Sequence, residues 1–402
     1  MAAAACSTAI LLGAYYYAWY GIGEQWEVFP RTFEPSMGAY NSSEKYVMDA
    51  HHRQGKEACI QFFATSWGGD GSRSPKGVDP NQEVSGACEL YDEKGNSIIP
   101  RCTRDGKQIE LQRGSTYRIE GWDEPMQWWT PSNEIDEALK RNLNVKDGVP
   151  MVLMYEIRDI LGVGENKGQV DLSAGDNPKI LKHHLLYAAD HHFMHPNYYR
   201  INGSPVLFLY TLRDFHNFVE PLSQAFRAVE ERIGAKLFII GDVIWWQPVP
   251  EAFPWQAYHD INVSAITAYN LYDAAQPEKM KGAFPWHSAG VYASFTALAP
   301  PGIQVVPYVS PGYDDSKMRG LERCVIPRYN GVSYLHSWYY ASAVASQQRK
   351  TKFPAVVMVN SFNEWHEGTQ IEPSVAHADS FIHLTRTLAH HYARWAPNTK
   401  EE

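Results

Sequence analysis

Eight apolar runs recur along this 402-residue chain, and most are followed by a stretch with helical periodicity. The runs are Ile10–Tyr20, Ala58–Thr65, Val149–Tyr155, Pro205–Tyr210, Lys236–Ile240, Ile261–Ala268, Gln304–Val309 and Ala355–Val359. Between them, helices are expected from Ser43 to about Gly55, from Ser132 or Asn133 to Asn142, and through His183, His184, His191 and His192. Others are expected over His216–Ile233, Tyr334–Ala345 and Asp379–Trp395. Parallel strands need crossover helices, so this alternation predicts an α/β fold, a (β/α)8 TIM barrel. No internal repeat or low-complexity linker interrupts it, so residues 1–402 read as a single catalytic domain.

The alternation fails once. Residues 68–130 are rich in Gly, Pro and charge, with turn signals at Gly71, Lys94-Gly95-Asn96 and Asp105-Gly106 and short alternating runs between them. This predicts an inserted loop or small β-rich subdomain growing from the second βα loop, too long for a plain connection. Its exit, Gly121 to Trp129, is aromatic enough for a sugar platform or for the insertion's own core.

The first, second, third, sixth, seventh and eighth runs stop at polar or aromatic residues, and the last stop is the densest. After Ala355–Val359 come Asn360-Ser361-Phe362-Asn363-Glu364-Trp365-His366-Glu367-Gly368-Thr369-Gln370-Ile371-Glu372-Pro373. In a parallel barrel such a segment lies at the C-terminal mouth, where loops converge. Glu364 and Glu367 are thus a carboxylate pair in a half-apolar rim, a pattern that suits glycosidic cleavage if one acid stays protonated while the other is ionised. Trp365 and His366 between them are candidates for setting that difference. The chain has 13 Trp and 24 Tyr, a surplus compatible with stacking on sugars as well as with a core.

The composition narrows the partners. A net charge of −9 with no long basic run gives no footing for nucleic acid or an anionic membrane, and no apolar run is long enough to span a bilayer. The opening thirteen residues lack a basic segment and read as a terminus leading into the first strand. Asn41, Asn202 and Asn262 begin glycosylation sequons, which matter only in a secreted protein. Five cysteines argue against a full disulfide framework, with Cys88 and Cys102 the one pair that looks feasible. Histidine doublets at 51–52, 183–184, 191–192 and 390–391 raise the question of a metal hydrolase, but no His-Glu-x-x-His motif is present, and no metal or cofactor is expected.

The segment Asn360 to Pro373 resembles the active-site signature of glycoside hydrolase family 99, the endo-α-1,2-mannosidases and endo-α-1,2-mannanases. The resemblance extends to Tyr15–Gly21, to Met37–Ser43, to Ser66-Trp67, to Tyr269, and to Pro311-Gly312-Tyr313 with Asp315 and Arg319. It implies a (β/α)8 retaining hydrolase of the secretory route acting on an oligosaccharide or polysaccharide. In it Glu364 polarises the sugar 2-hydroxyl and Glu367 serves as acid and base, through a 1,2-anhydro sugar. It implies substrate contacts from Tyr17, Trp19, Trp67, Glu156, Tyr269, Tyr313, Asn363, Trp365 and His366. Two positions depart from the pattern. Gly68 stands where an aromatic follows the Ser-Trp pair, and Met154 stands where a His precedes Glu156 by two. The same chemistry on another hexose polymer, a non-catalytic sugar binder, and a glycosyltransferase-associated relative remain the alternatives. The last lacks a Gly-rich phosphate loop after any strand.

Overall fold

A computed structural model describes residues 6, 10–22, 26, 30–73, 83–89, 101–104, 107–110, 116–119, 126–128, 130–156, 161, 170–245, 251, 253–271, 277–320, 325–348 and 353–393. The barrel strands are β1 (Ile10–Tyr16), β2 (Phe62–Trp67), β3 (Met151–Tyr155), β4 (Ser204–Leu209), β5 (Phe238–Asp242) and β6 (Val263–Thr267). They continue with β7, split into Gln304–Val306 and Tyr308–Val309, and β8 (Ala355–Val359). All pair in parallel, in the order 7-6-5-4-3-2-1-8-7, so that the two halves of β7 close the ring from either side. Pro307 sits at the split. A proline has no N–H to give a ladder, so a break there is expected. Met358 N still donates to the Pro307 carbonyl.

The outer ring is α1 (Lys45–Glu57), α2 (Thr130–Leu143), α3 (Asn177–Ala188), α4 (Val219–Ile233), α5 (Trp255–Asp260), α6 (Pro277–Leu298), α7 (Val332–Gln347) and α8 (Ser380–Ala393), one after each strand. No described helix is long and apolar enough to cross a membrane. Both faces of the strands are covered, and β2, β3 and β5 are buried along their whole length. This accounts for near-continuous apolar runs in place of strict alternation. Inside, Gly13 of β1 leaves room for the Phe62 ring and the Met358 sulfur; a Cβ there would stand 2.3 Å from Phe62 and 2.7 Å from Met358 Sδ.

The alternation of faces along β1 decides where its aromatics go. Tyr15 points inward, its ring 5.0 Å from Tyr269 and 6.0 Å from Phe208. Tyr16 points to the helical layer, stacking on Phe63 at 4.8 Å and bonding His51 of α1 at 3.0 Å. The strand ends at Tyr16, four residues short of the apolar run, because Tyr17 to Tyr20 leave the ladder to line the mouth. β2 begins at Phe62 and not at Ala58, since Ala58 to Ile60 finish the helix end, with backbone bonds back to Gln54, Lys56 and Gly55.

Between β2 and α2, six short strands from Ser72–Arg73 to Met126–Trp128 form a sheet of their own, mostly antiparallel. The turns at Lys94-Gly95-Asn96 and Asp105-Gly106, and Gly23 after β1, lie outside the described residues, as do the side chains of the aromatic exit and of Cys88 and Cys102. The structure adds a disulfide that the sequence reading did not offer. Cys6 is joined to Cys59, 53 positions away, a pairing that local spacing does not reveal because the barrel brings the start of β1 beside the start of β2.

Candidate active site

The segment after β8 is wired to itself before it touches anything else. Ser361 N donates to Thr369 O, Ile371 N to Ser361 O, and the Ser361 hydroxyl accepts from Glu364 N at 2.7 Å while meeting the Thr369 hydroxyl at 2.8 Å. Residues 361–371 thus form a closed turn at the barrel mouth. Gly368 is needed in it: its φ is +62°, and a Cβ would stand 3.1 Å from the Asp314 carbonyl oxygen. The loop after β7 seals one side, with Asp314 N donating to Glu367 O at 2.7 Å. Arg328 gives Nη2 to the carbonyls of Gly368 at 3.0 Å and Gln370 at 2.7 Å, and burial pulls its guanidinium down to about 9.

Asn363 docks this turn on β1. Its amide accepts from Tyr17 N and donates to Tyr17 O, both at 2.8 Å, which fixes where the next residue points. Glu364 Oε1 accepts from the Tyr20 hydroxyl at 3.2 Å and from His366 N at 3.1 Å, with His366 Nδ1 at 3.3 Å. Tyr20 in turn accepts from Trp365 N at 2.9 Å. Glu367 Oε2 accepts from the Tyr269 hydroxyl at 2.9 Å, and the Asn360 amide donates to the Tyr269 carbonyl. Both acids are nearly sealed, at 4% and 8% exposure.

The phenols around them stay neutral. Burial first, then Glu367 and Glu364, hold Tyr269 well above its ordinary range, and burial with Glu364 does the same for Tyr20. Tyr17 is raised by burial and by Glu364, Glu156 and Glu367, so one phenol lies in the field of all three carboxylates. The arrangement is a pair of buried carboxylates whose tyrosine partners are neutral hydrogen-bond donors, able to hold a carboxylate in place without neutralising it.

Beneath the turn, Glu372 accepts from Trp365 Nε1 at 2.9 Å and Tyr40 OH at 2.8 Å, and pairs with His51 Nε2 at 3.0 Å. The sequence reading did not single out Tyr20, Tyr40, His51 or Glu372 as site residues. The aromatic string at Tyr15–Tyr20 and the acid at the end of the signature were the available signals.

Three residues expected to touch substrate do not have the surface to do so. Trp67 is fully buried against Tyr155, His184 and His192 and donates to Asp136 at 2.8 Å; Trp365 and Asn363 are equally buried, with their polar atoms committed to Glu372 and Tyr17. Their part is positioning. Tyr17, Tyr269 and His366 surround the acids, and Trp19 packs on Tyr17 with ring centres 4.4 Å apart. Glu156 lies just past β3, its N–H bonded to Trp67 O. Tyr313 sits in the β7 loop and donates to Asp315 at 2.6 Å. Met154 is buried in β3, and Gly68 follows β2 directly. The first histidine doublet diverges, His51 facing Glu372 while His52 bonds Asn142, whereas His183 and His184 both reach Asp70.

A closed parallel barrel with two buried acids on the turn after its last strand defines a protein like those of glycoside hydrolase family 99. The sequence profile described as "Glycosyltransferase WbsX" matches residues 173–385, more than half of the chain, and the chain belongs to that family. Among curated proteins it is similar to the "Glycoprotein endo-alpha-1,2-mannosidase-like protein" of Mus musculus, 33% identical over 106 residues, and that of Homo sapiens, 32% identical over 106 residues. Each match covers 23% of this chain and 22% of the relative, so it spans less than a quarter of their length. Among solved structures, the GH99 endo-alpha-mannosidase of Bacteroides thetaiotaomicron superposes with a TM-score of 0.57 at 18% identity, over 96% of this chain and 99% of that one. A "Glycoside hydrolase-like protein" superposes with a TM-score of 0.64 at 18% identity, over 95% and 94%. At these identities the structural likeness is one of fold.

Proposed function

We propose that this protein is a retaining glycoside hydrolase acting on an α-linked glycan, with an α-mannoside whose 2-hydroxyl is free as the leading substrate. The observation that carries the reading is that Glu364 and Glu367, both nearly buried on the turn after β8, act together on the same neutral phenols, Tyr17 and Tyr269. Glu364 takes the proton of the 2-hydroxyl as that oxygen attacks the anomeric carbon. Glu367 gives its proton to the departing oxygen. In the second half Glu367 activates water, which opens the 1,2-anhydro sugar at the anomeric carbon; Glu364 returns the proton to O2, and the configuration is retained. The reading draws its support from the family resemblance, from relatives named as endo-α-mannosidases, and from Tyr20 and Tyr269 as donors that hold each carboxylate in place. It takes residues 1–402 as one catalytic barrel and residues 68–130 as an excursion from it.

The test is product release from α-1,2-linked mannan, a glucosylated high-mannose glycan and α-glucans, with Glu367→Gln as control. Release of an α-configured reducing sugar from a mannoside, lost in the variant, is the expected result. Activity on another glycan alone would keep the two acids and replace the substrate. Sugar transfer, which the family's description raises, is separated by the same assay, because it yields no free reducing end without an added nucleotide-sugar donor. Binding without release by the unaltered protein would sink the hydrolase reading.

A further inference from the structure

At the opposite end of the barrel, where the strands begin, stands a second group of reactive side chains. Cys6 precedes β1, Cys59 precedes β2, and His390 lies in the last turn of α8. His390 Nε2 is 3.6 Å from Cys59 Sγ, and the two sulfurs and this nitrogen all lie within 4.8 Å of one another. Among the described residues they are the one set of three metal-ligating side chains that converges so closely. Cys6 and His390 stand in the wall of a cavity of about 770 Å³, which His52, Lys56, Asp147 and Arg386 also line, with Cys59 buried behind them. Cys59 has φ +63°, the left-handed position just past a helix end where glycine or asparagine is usual. A cysteine is kept there against backbone preference.

We propose that the reduced protein binds one Zn²⁺ through the Cys6 and Cys59 thiolates and His390 Nε2, with solvent from the cavity as fourth ligand. Disulfide and metal are then alternative staples between the same two chain segments. Thiolate and imidazole are the donors zinc prefers, and tetrahedral bonding at the usual lengths sets donor atoms roughly 3.5–3.8 Å apart. The 3.6 Å between His390 and Cys59 already meets that spacing, and once the S–S bond is broken the Cys6 sulfur, within 4.8 Å of the other two atoms, has a short way to move. The switch balances with a small-molecule thiol or dithiol as reductant. Its thiolate attacks one cysteine sulfur, the S–S bond breaks, two electrons pass to the cysteine pair, and the reductant leaves as its own disulfide. Zinc then displaces the thiol protons. The idea stands apart from the proposed glycan chemistry, since the two sites occupy opposite ends of the strands.

The experiment titrates Co²⁺ into full-length protein that has been reduced with dithiothreitol and desalted without air. The expected result is one equivalent bound, with a thiolate-to-cobalt band in the near ultraviolet and tetrahedral bands in the visible, all displaced by one equivalent of Zn²⁺. Oxidised protein, which needs no substitution and so controls for folding, gives no band. Cys6→Ser and Cys59→Ser lose the band, and His390→Ala weakens binding at least tenfold. Reduced protein without the band would overturn the proposal, as would a band undiminished in Cys6→Ser.

Discussion

Two buried clusters on this barrel are built from the same kinds of residue and do opposite things. Behind β2 and β3, Asp136 accepts from Trp67 at 2.8 Å, His192 at 2.7 Å and Tyr187 at 2.6 Å, with Lys140 at 3.2 Å. Burial works against its charge, yet His192 and Lys140 outweigh that and hold the carboxyl far below its usual range. After β8, Glu364 accepts from the Tyr20 phenol beside the His366 imidazole, and Glu367 accepts from the Tyr269 phenol. A carboxylate locked by cations is a structural ion. The phenols that donate to Glu364 and Glu367 orient them as neutral hydrogen-bond donors. Burial and residue type do not distinguish the two; the partners do.

The largest test of that contrast is Glu367→Gln. It should cost glycan release about 10³-fold or more, in line with loss of a general acid, and leave thermal unfolding close to unchanged. The reverse is expected of Asp136→Asn. Removing one partner of a buried charge cluster should destabilise by about 3–5 kcal/mol, read as a lower denaturant midpoint, because Trp67, Tyr187 and His192 lose their shared acceptor while Lys140 keeps only Glu137. An Asp136 variant as stable as the parent would erase the distinction.

A pH measurement sharpens it. His52 is pulled down to about 4 by burial, despite its bond to Asn142, and Val149 N donates to its other nitrogen. With the folded value below the unfolded one of about 6.5, the unfolded chain binds the extra proton between those limits, so stability falls as pH drops from about 6.5 to 4. By pH 5 this one group should cost about 2 kcal/mol, and His52→Gln should flatten that part of the profile in chemical denaturation. The smallest effect is reserved for Tyr20→Phe. Loss of one phenol donor from Glu364 should lower turnover by about tenfold with little change in KM, and shift stability by about 1 kcal/mol. A purely structural Tyr20 would show the stability change without the turnover change.

Much of the architecture was legible from pattern. β8 runs from Ala355 to Val359 as the apolar run does, because a strand buried on both faces declares itself by composition. α6 was missed: Pro285 lies inside it, and a proline normally argues against a helix. The acids were readable for a different reason, since a short closed turn carries its own bonds between Ser361 and Thr369 and places both carboxylates by local chemistry. Trp67 was misjudged because its motif says nothing of which face it takes. The indole turned toward Asp136, a residue 69 positions away.

What the sequence by itself determined, then, is whatever lies within one element or one turn: the eight strands, the barrel they imply, and the carboxylate pair after β8. Only the tertiary structure decided the rest. It chose which β1 tyrosine enters the barrel, paired Cys6 with Cys59, and brought phenols from the segments just past β1 and β6 to Glu364 and Glu367 while Asp136 received Trp67 and His192. Those are contacts between segments far apart in the chain. Electrostatic character depends on the charges and dipoles within a few ångströms, and packing alone brings them there.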